Sequence, residues 1–138
     1  MKVILIGHYN TAISMQKAVE MIVGETEDFY PITFLPNEGL DSLKAKIDDL
    51  LEKFDKNEEI LAIADLYSGT PYNAVATRSL ENKITDVISG MSLPICLEVA
   101  MNKKTMSVKE LVNLILQNSK DYTRVLSKSL TEQDEEEF

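Results

Sequence analysis

Four short apolar runs, alternating with stretches of helical periodicity, constrain the fold of this chain more than any other feature. Val3-Ile4-Leu5-Ile6 is continuous and rich in β-branched residues, as expected for a strand buried on both faces. Ile60-Leu61-Ala62-Ile63-Ala64 is a similar run that stops at Asp65. Phe29 to Leu35 reads as another strand, and Pro31 within it lacks an N–H, which assigns it to a sheet edge. Asp86-Val87-Ile88 is a short fourth strand ending at Gly90.

The intervening segments read as helices. Ile13, Met15, Ala18, Val19 and Ile22 follow the helical period, closed by Gly24. Asn37 is a candidate cap for a helix with Leu40, Leu43, Ile47, Leu50, Leu51 and Phe54 on its apolar face. Thr70-Pro71 reads as an N-cap followed by proline at the first helical position. Leu93 to Met101 forms a short helix, and Ser107-Val108-Lys109-Glu110 is a capping box opening a helix to about Leu116. Tyr122 to Leu126 either continues that helix or forms a last edge strand. The period does not decide between them.

Strands alternating with helices imply right-handed crossovers. The fold class is therefore α/β, doubly wound, with a mainly parallel sheet and helices on both faces. With Pro31 on an edge, the strand order is 2-1-3-4. The crevice at the carboxyl ends of strands one and three is where such sheets bind ligands. His8 lies just past the first strand and Asp65 ends the third, so the topology brings the only histidine and a carboxylate to one crevice.

With 138 residues the chain is one domain, read as residues 1–130 followed by an acidic, disordered tail at 131–138. A net charge of -9 excludes nucleic acid as a partner, because its phosphates would be repelled. The opening apolar run is too short for a signal peptide, and no stretch approaches the roughly 20 apolar residues needed to span a bilayer. A cytoplasmic location is expected, with membrane contact only through partners. The single Cys96, in an apolar stretch, reads as a small core residue, and one cysteine with one histidine excludes a structural zinc site.

A neutral imidazole can accept a phosphoryl group and pass it on near neutral pH. A carboxylate bonded to the other ring N–H fixes the tautomer and stabilises positive charge on the ring, and Asp65 is the candidate for that role. Ser68, Gly69 and Thr70 are the candidate phosphate-binding residues. Gly69 lets backbone N–H groups turn inward, and the following helix offers its positive end and the Thr70 hydroxyl. Each residue also has a purely structural reading: His8 as a turn or packing residue, Asp65 as a loop cap, Thr70-Pro71 as a helix start.

Three segments carry a family resemblance. VILIGHYNTA (3–12), IADLYSGTPYNAVA (63–76) and ISGMSLPICLEVAM (88–101) resemble, in order and spacing, the signatures of the mannose-type IIA components of the phosphoenolpyruvate-dependent sugar phosphotransferase system. The likeness covers nearly the whole chain. It implies a phosphohistidine carrier in which His8 takes phosphate from the phosphocarrier protein HPr. His8 then passes it to the IIB component for sugar import through the membrane components IIC and IID. It implies a catalytic pair of His8 and Asp65, the Thr70 hydroxyl beside the phosphate, and no metal or organic cofactor. It also implies a homodimer with a C-terminal antiparallel edge strand, at Tyr122 to Leu126, exchanged between subunits. Tyr9 stands where the family usually has glycine, and Ser68 replaces the first of two common glycines. The alternatives are a phosphoryl donor to a dihydroxyacetone kinase, whose second loop differs, a regulatory domain phosphorylated on His8, and a ligand-binding domain of flavodoxin type.

Overall fold

The computed structural model describes residues 1–130. Four parallel strands pair in the order β2-β1-β3-β4, as expected. Strand β1 (Lys2–His8) lies between β2 (Phe29–Phe34) and β3 (Ile60–Ala64), and β4 (Asp86–Ser89) forms the far edge. Pro31 sits opposite Leu5 on the edge strand β2, where its missing N–H breaks no ladder on the outer side.

The helices α1 (Thr11–Val23), α2 (Leu40–Leu51), α3 (Thr70–Leu80), α4 (Leu93–Asn102) and α5 (Val108–Asn118) cover both faces. Strand side chains alternate between two cores because successive residues point to opposite faces. Val3, Leu5, Leu61 and Ile63 pack with Val19, Val99 and Leu111 of α1, α4 and α5. Ile4, Ile6, Ala62 and Ala64 pack with Leu43, Ile47 and Val75 of α2 and α3. This double coverage is the reason β1 and β3 read as unbroken apolar runs. Each fully buried Leu or Ile contributes about 1.5–3 kcal/mol. Cys96 is one of these core residues, and burial pushes its thiol up to about 12, which leaves it chemically inert.

The helix that will border the site is clamped in place. Arg78 of α3 grips Asp48 of α2 with two bonds, Nε to Oδ1 at 2.7 Å and Nη2 to Oδ2 at 2.8 Å. Such a planar two-pronged pair fixes direction as well as distance. It holds α3 against α2 on one face of the sheet.

Two expectations need correction. The cap of α2 is Gly39 and not Asn37, which lies in the preceding turn. Gly39 takes an extended backbone, and its N–H donates to the Ser42 hydroxyl at 2.9 Å, so the first turn is closed by Ser42 from inside the helix. Residues 122–126 do not form a strand in the described chain. A 3-10 turn (Ser119–Asp121) follows α5, and the short helix α6 (Leu126–Ser129) comes next. Tyr122 packs against the core under α4 and α5, which keeps this segment with the helices and away from the sheet. The acidic segment 131–138, expected to be a tail, lies outside the described residues.

Candidate functional site

His8 is the last residue of β1, and it emerges from the sheet between β2 and β3. Its backbone N–H donates to Oδ2 of Asp65 at 2.8 Å, and its ring Nδ1 lies 2.9 Å from the same oxygen. A carboxylate can only accept, so in the neutral form of the ring the proton sits on Nδ1 and the lone pair on Nε2. The ring is half exposed while the Asp65 side chain is 84% covered, its relative exposure being 16%. The second carboxylate oxygen, Oδ1, is buried and makes no hydrogen bond among the described residues. Among the described residues the charge of Asp65 is therefore shared with no donor but His8.

The chain builds this pair by register. Asp65 follows β3, and its N–H donates to the carbonyl of Ile6 at 3.1 Å, extending the ladder one step beyond the strand. That step sets Asp65 against Gly7. A Cβ on Gly7 would stand 2.9 Å from Cγ of Asp65, a distance side chains do not tolerate. Glycine is required at this position by close approach. Gly7→Ala is expected to destabilise the fold by about 1–3 kcal/mol, the usual cost of overpacking, and to push the carboxylate off the imidazole. Urea denaturation together with a phosphoryl-transfer assay would check both effects.

Of the candidate phosphate-binding residues, Gly69 adjoins the ring: a Cβ there would lie 3.5 Å from Cε1 of His8. Ser68 is exposed, with φ 64. Thr70 is not the N-cap but the first residue of α3. Gly69 occupies the cap position in an extended conformation, and no side chain bonds the helix start. Pro71 therefore stands one residue later than expected, still within the first turn, where its missing N–H costs nothing. The positive end of α3 thus begins beside the imidazole.

Three further residues shape the site and were not singled out from the sequence. Phe34, opposite His8 in the register of β1 and β2, sets its ring edge-on to the imidazole at 5.6 Å. Its carbonyl accepts the N–H of Tyr9 at 2.7 Å. Thr11 donates its hydroxyl to the carbonyl of His8 at 2.6 Å, and Gly7 makes room for Asp65. Once the strand order is drawn, the adjacency of the carboxyl ends of β1 and β2 is the signal that points to Phe34. A cavity of 580 Å³ lies at the amino ends of the strands beside Phe54, Ile60 and Lys83, away from His8. The His8 ring itself stands half open to solvent.

Fold and site define a doubly wound α/β domain with an exposed, carboxylate-braced histidine at its switch point. A family model described as "PTS system fructose IIA component" matches residues 2–116. The sorbose-specific EIIA component of Lacticaseibacillus casei is 47% identical over 131 residues, covering 95% of this chain and 94% of that protein. The fructose-specific EIIA component of Bacillus subtilis is 32% identical over 128 residues, covering 93% and 88%. The mannose/sorbose-specific IIA subunit from Enterococcus faecalis superposes with a TM-score of 0.84 at 26% identity, covering 95% and 96%. This chain belongs to the mannose-type IIA family of the sugar phosphotransferase system, a family of phosphoryl carriers in sugar transport.

Proposed function

We propose that Nε2 of His8 carries the phosphoryl group, taking it from phospho-HPr and passing it to the IIB component. The observation that supports this most is the 2.9 Å contact of Nδ1 with Asp65, which leaves Nε2 as the free nucleophile. In the transfer, the N–P bond of the donor histidine breaks as a new bond forms from Nε2 to phosphorus. The donor, protonated on its other nitrogen, leaves as neutral imidazole. His8 keeps its Nδ1 proton and becomes a phosphorylated imidazolium facing the Asp65 carboxylate. The reverse exchange charges the next acceptor. Gly69 and the start of α3, with its Thr70 hydroxyl, are suited to receive the phosphoryl oxygens, and Ser68 shapes the turn before them. Transfer between two imidazoles needs neither metal nor organic cofactor.

In the same reading, residues 1–130 work as one domain, as a homodimer in the cytoplasm that meets IIC and IID only through IIB. No helix among the described residues is long and apolar enough to cross a membrane. The two curated relatives are named for different sugars, sorbose and fructose, which accords with a component that touches only proteins. The test is incubation with phosphoenolpyruvate, Enzyme I and HPr, followed by intact mass and peptide mapping. One acid-labile, base-stable phosphate on the peptide containing His8 is expected. No phosphate, with HPr shown to be charged, overturns the reading.

A further inference from the structure

We propose that Tyr9, with Leu66 and Tyr67, forms a docking rim around His8 that receives the apolar, uncharged surface surrounding the phosphohistidine of a protein donor, and that Tyr9 is its specificity-determining residue. The inference rests on the reading of His8 given above.

Tyr9 combines two features that folding alone does not explain. Its backbone lies in the left-handed region, φ 53, where glycine is at ease and a side chain is strained. Its ring is nevertheless 61% exposed, so burial in this chain does little to offset that strain. Strain of this kind persists where the surrounding structure over-determines it, and the Tyr9 N–H is held by the Phe34 carbonyl beside the imidazole. A residue that is costly to hold and exposed to water is best explained by a contact made outside the chain.

Its neighbours match it. Leu66 is 57% exposed and Tyr67 69%, although both are large and apolar in body. Leu66 and the His8 ring both adjoin Gly69, at 3.7 and 3.5 Å from the position a Cβ would take there. Tyr67 is steadied by Tyr72, ring centroids 5.0 Å apart. Apart from His8, neither the run from Gly7 to Gln16 nor that from Leu66 to Thr77 contains a charged side chain, in a chain of net charge -9. Asp65, the nearest carboxylate, is turned in to His8. The rim is thus neutral and aromatic within an acidic protein, which fits an apolar partner surface and not a basic or acidic one.

The test compares two donors on the whole protein: phospho-HPr, and phosphoramidate, a small molecule with no surface to dock. Removing an aromatic anchor from a protein contact commonly costs tenfold or more in affinity, so Tyr9→Gly is expected to lower the ratio of kcat/KM for phospho-HPr to the phosphoramidate rate about tenfold, chiefly through KM. Tyr9→Phe, which keeps the ring, is expected to hold the parental ratio. An equal fall with both donors, or no fall with either, overturns the docking role while leaving phosphorylation of His8 intact. A parental protein that takes phosphate from neither donor overturns the His8 reading and this one with it.

Discussion

Replacing His8 with glutamine is expected to reduce phosphate uptake from phospho-HPr to background while leaving the protein folded. The chain has one histidine, so no second imidazole can substitute. The alternative nucleophiles are poor. Cys96 is fully buried with its thiol pushed up to about 12, and a serine or threonine hydroxyl is a weak nucleophile at its ordinary pKa. The glutamine amide can still donate to Asp65, which would otherwise lose its ring partner, but its nitrogen has no lone pair available for attack. The His8 ring is half exposed and outside both cores, so stability should change by less than about 1 kcal/mol. Intact mass after incubation with the charged donor reads the phosphate, and thermal unfolding reads the fold. Full incorporation into the variant would show that the carrier residue lies elsewhere.

The parts of this structure that were legible in the sequence are those decided by burial on two faces. Val3 to Ile6 and Ile60 to Ala64 are apolar at every position because helices cover both faces of the sheet, and the edge proline then orders the strands. That order alone brought His8 and Asp65 to one crevice, and imidazole chemistry with the family resemblance then paired them. What was not legible depended on distances of a few ångströms between segments far apart in the chain. Nothing local in Gly7 distinguishes it from a turn glycine, since its requirement comes from Asp65, 58 residues later. Phe34 reads as an ordinary strand residue until the register sets it beside His8. At helix starts the competition is between neighbours of similar merit: Gly39 with Ser42 displaced Asn37, and Gly69 displaced Thr70 by one position. The left-handed backbone of Tyr9 and Ser68 is the least expected feature, because neither residue type favours it.

Asp65→Asn is expected to slow phosphoryl transfer by roughly 10²- to 10⁴-fold, the range in which removing the charge behind a catalytic imidazole falls. The substitution is nearly isosteric, and an amide oxygen can take the place of Oδ2 to accept both the His8 N–H and Nδ1–H. Geometry is then kept while charge is lost, and two consequences separate. Before transfer the ring is neutral, and a neutral acceptor still fixes the tautomer. After transfer the ring bears positive charge, and its attraction to the opposite charge of the carboxylate, which the neutral ring did not have, is lost with that charge. The loss is greater in the product than in the reactant, so the exchange equilibrium with phospho-HPr should shift toward the donor by about tenfold as well as slowing. Because Oδ1 has no partner among the described residues, no neighbouring donor cushions this change. Asp65→Ala removes the acceptor altogether, frees both tautomers and should be slower still. Rapid-quench transfer kinetics and the end-point distribution of label between the two proteins measure the two effects. A variant that transfers slowly but reaches the parental equilibrium would mean that Asp65 only orients the ring, and that the charge it holds beneath His8 does not stabilise the phosphorylated state.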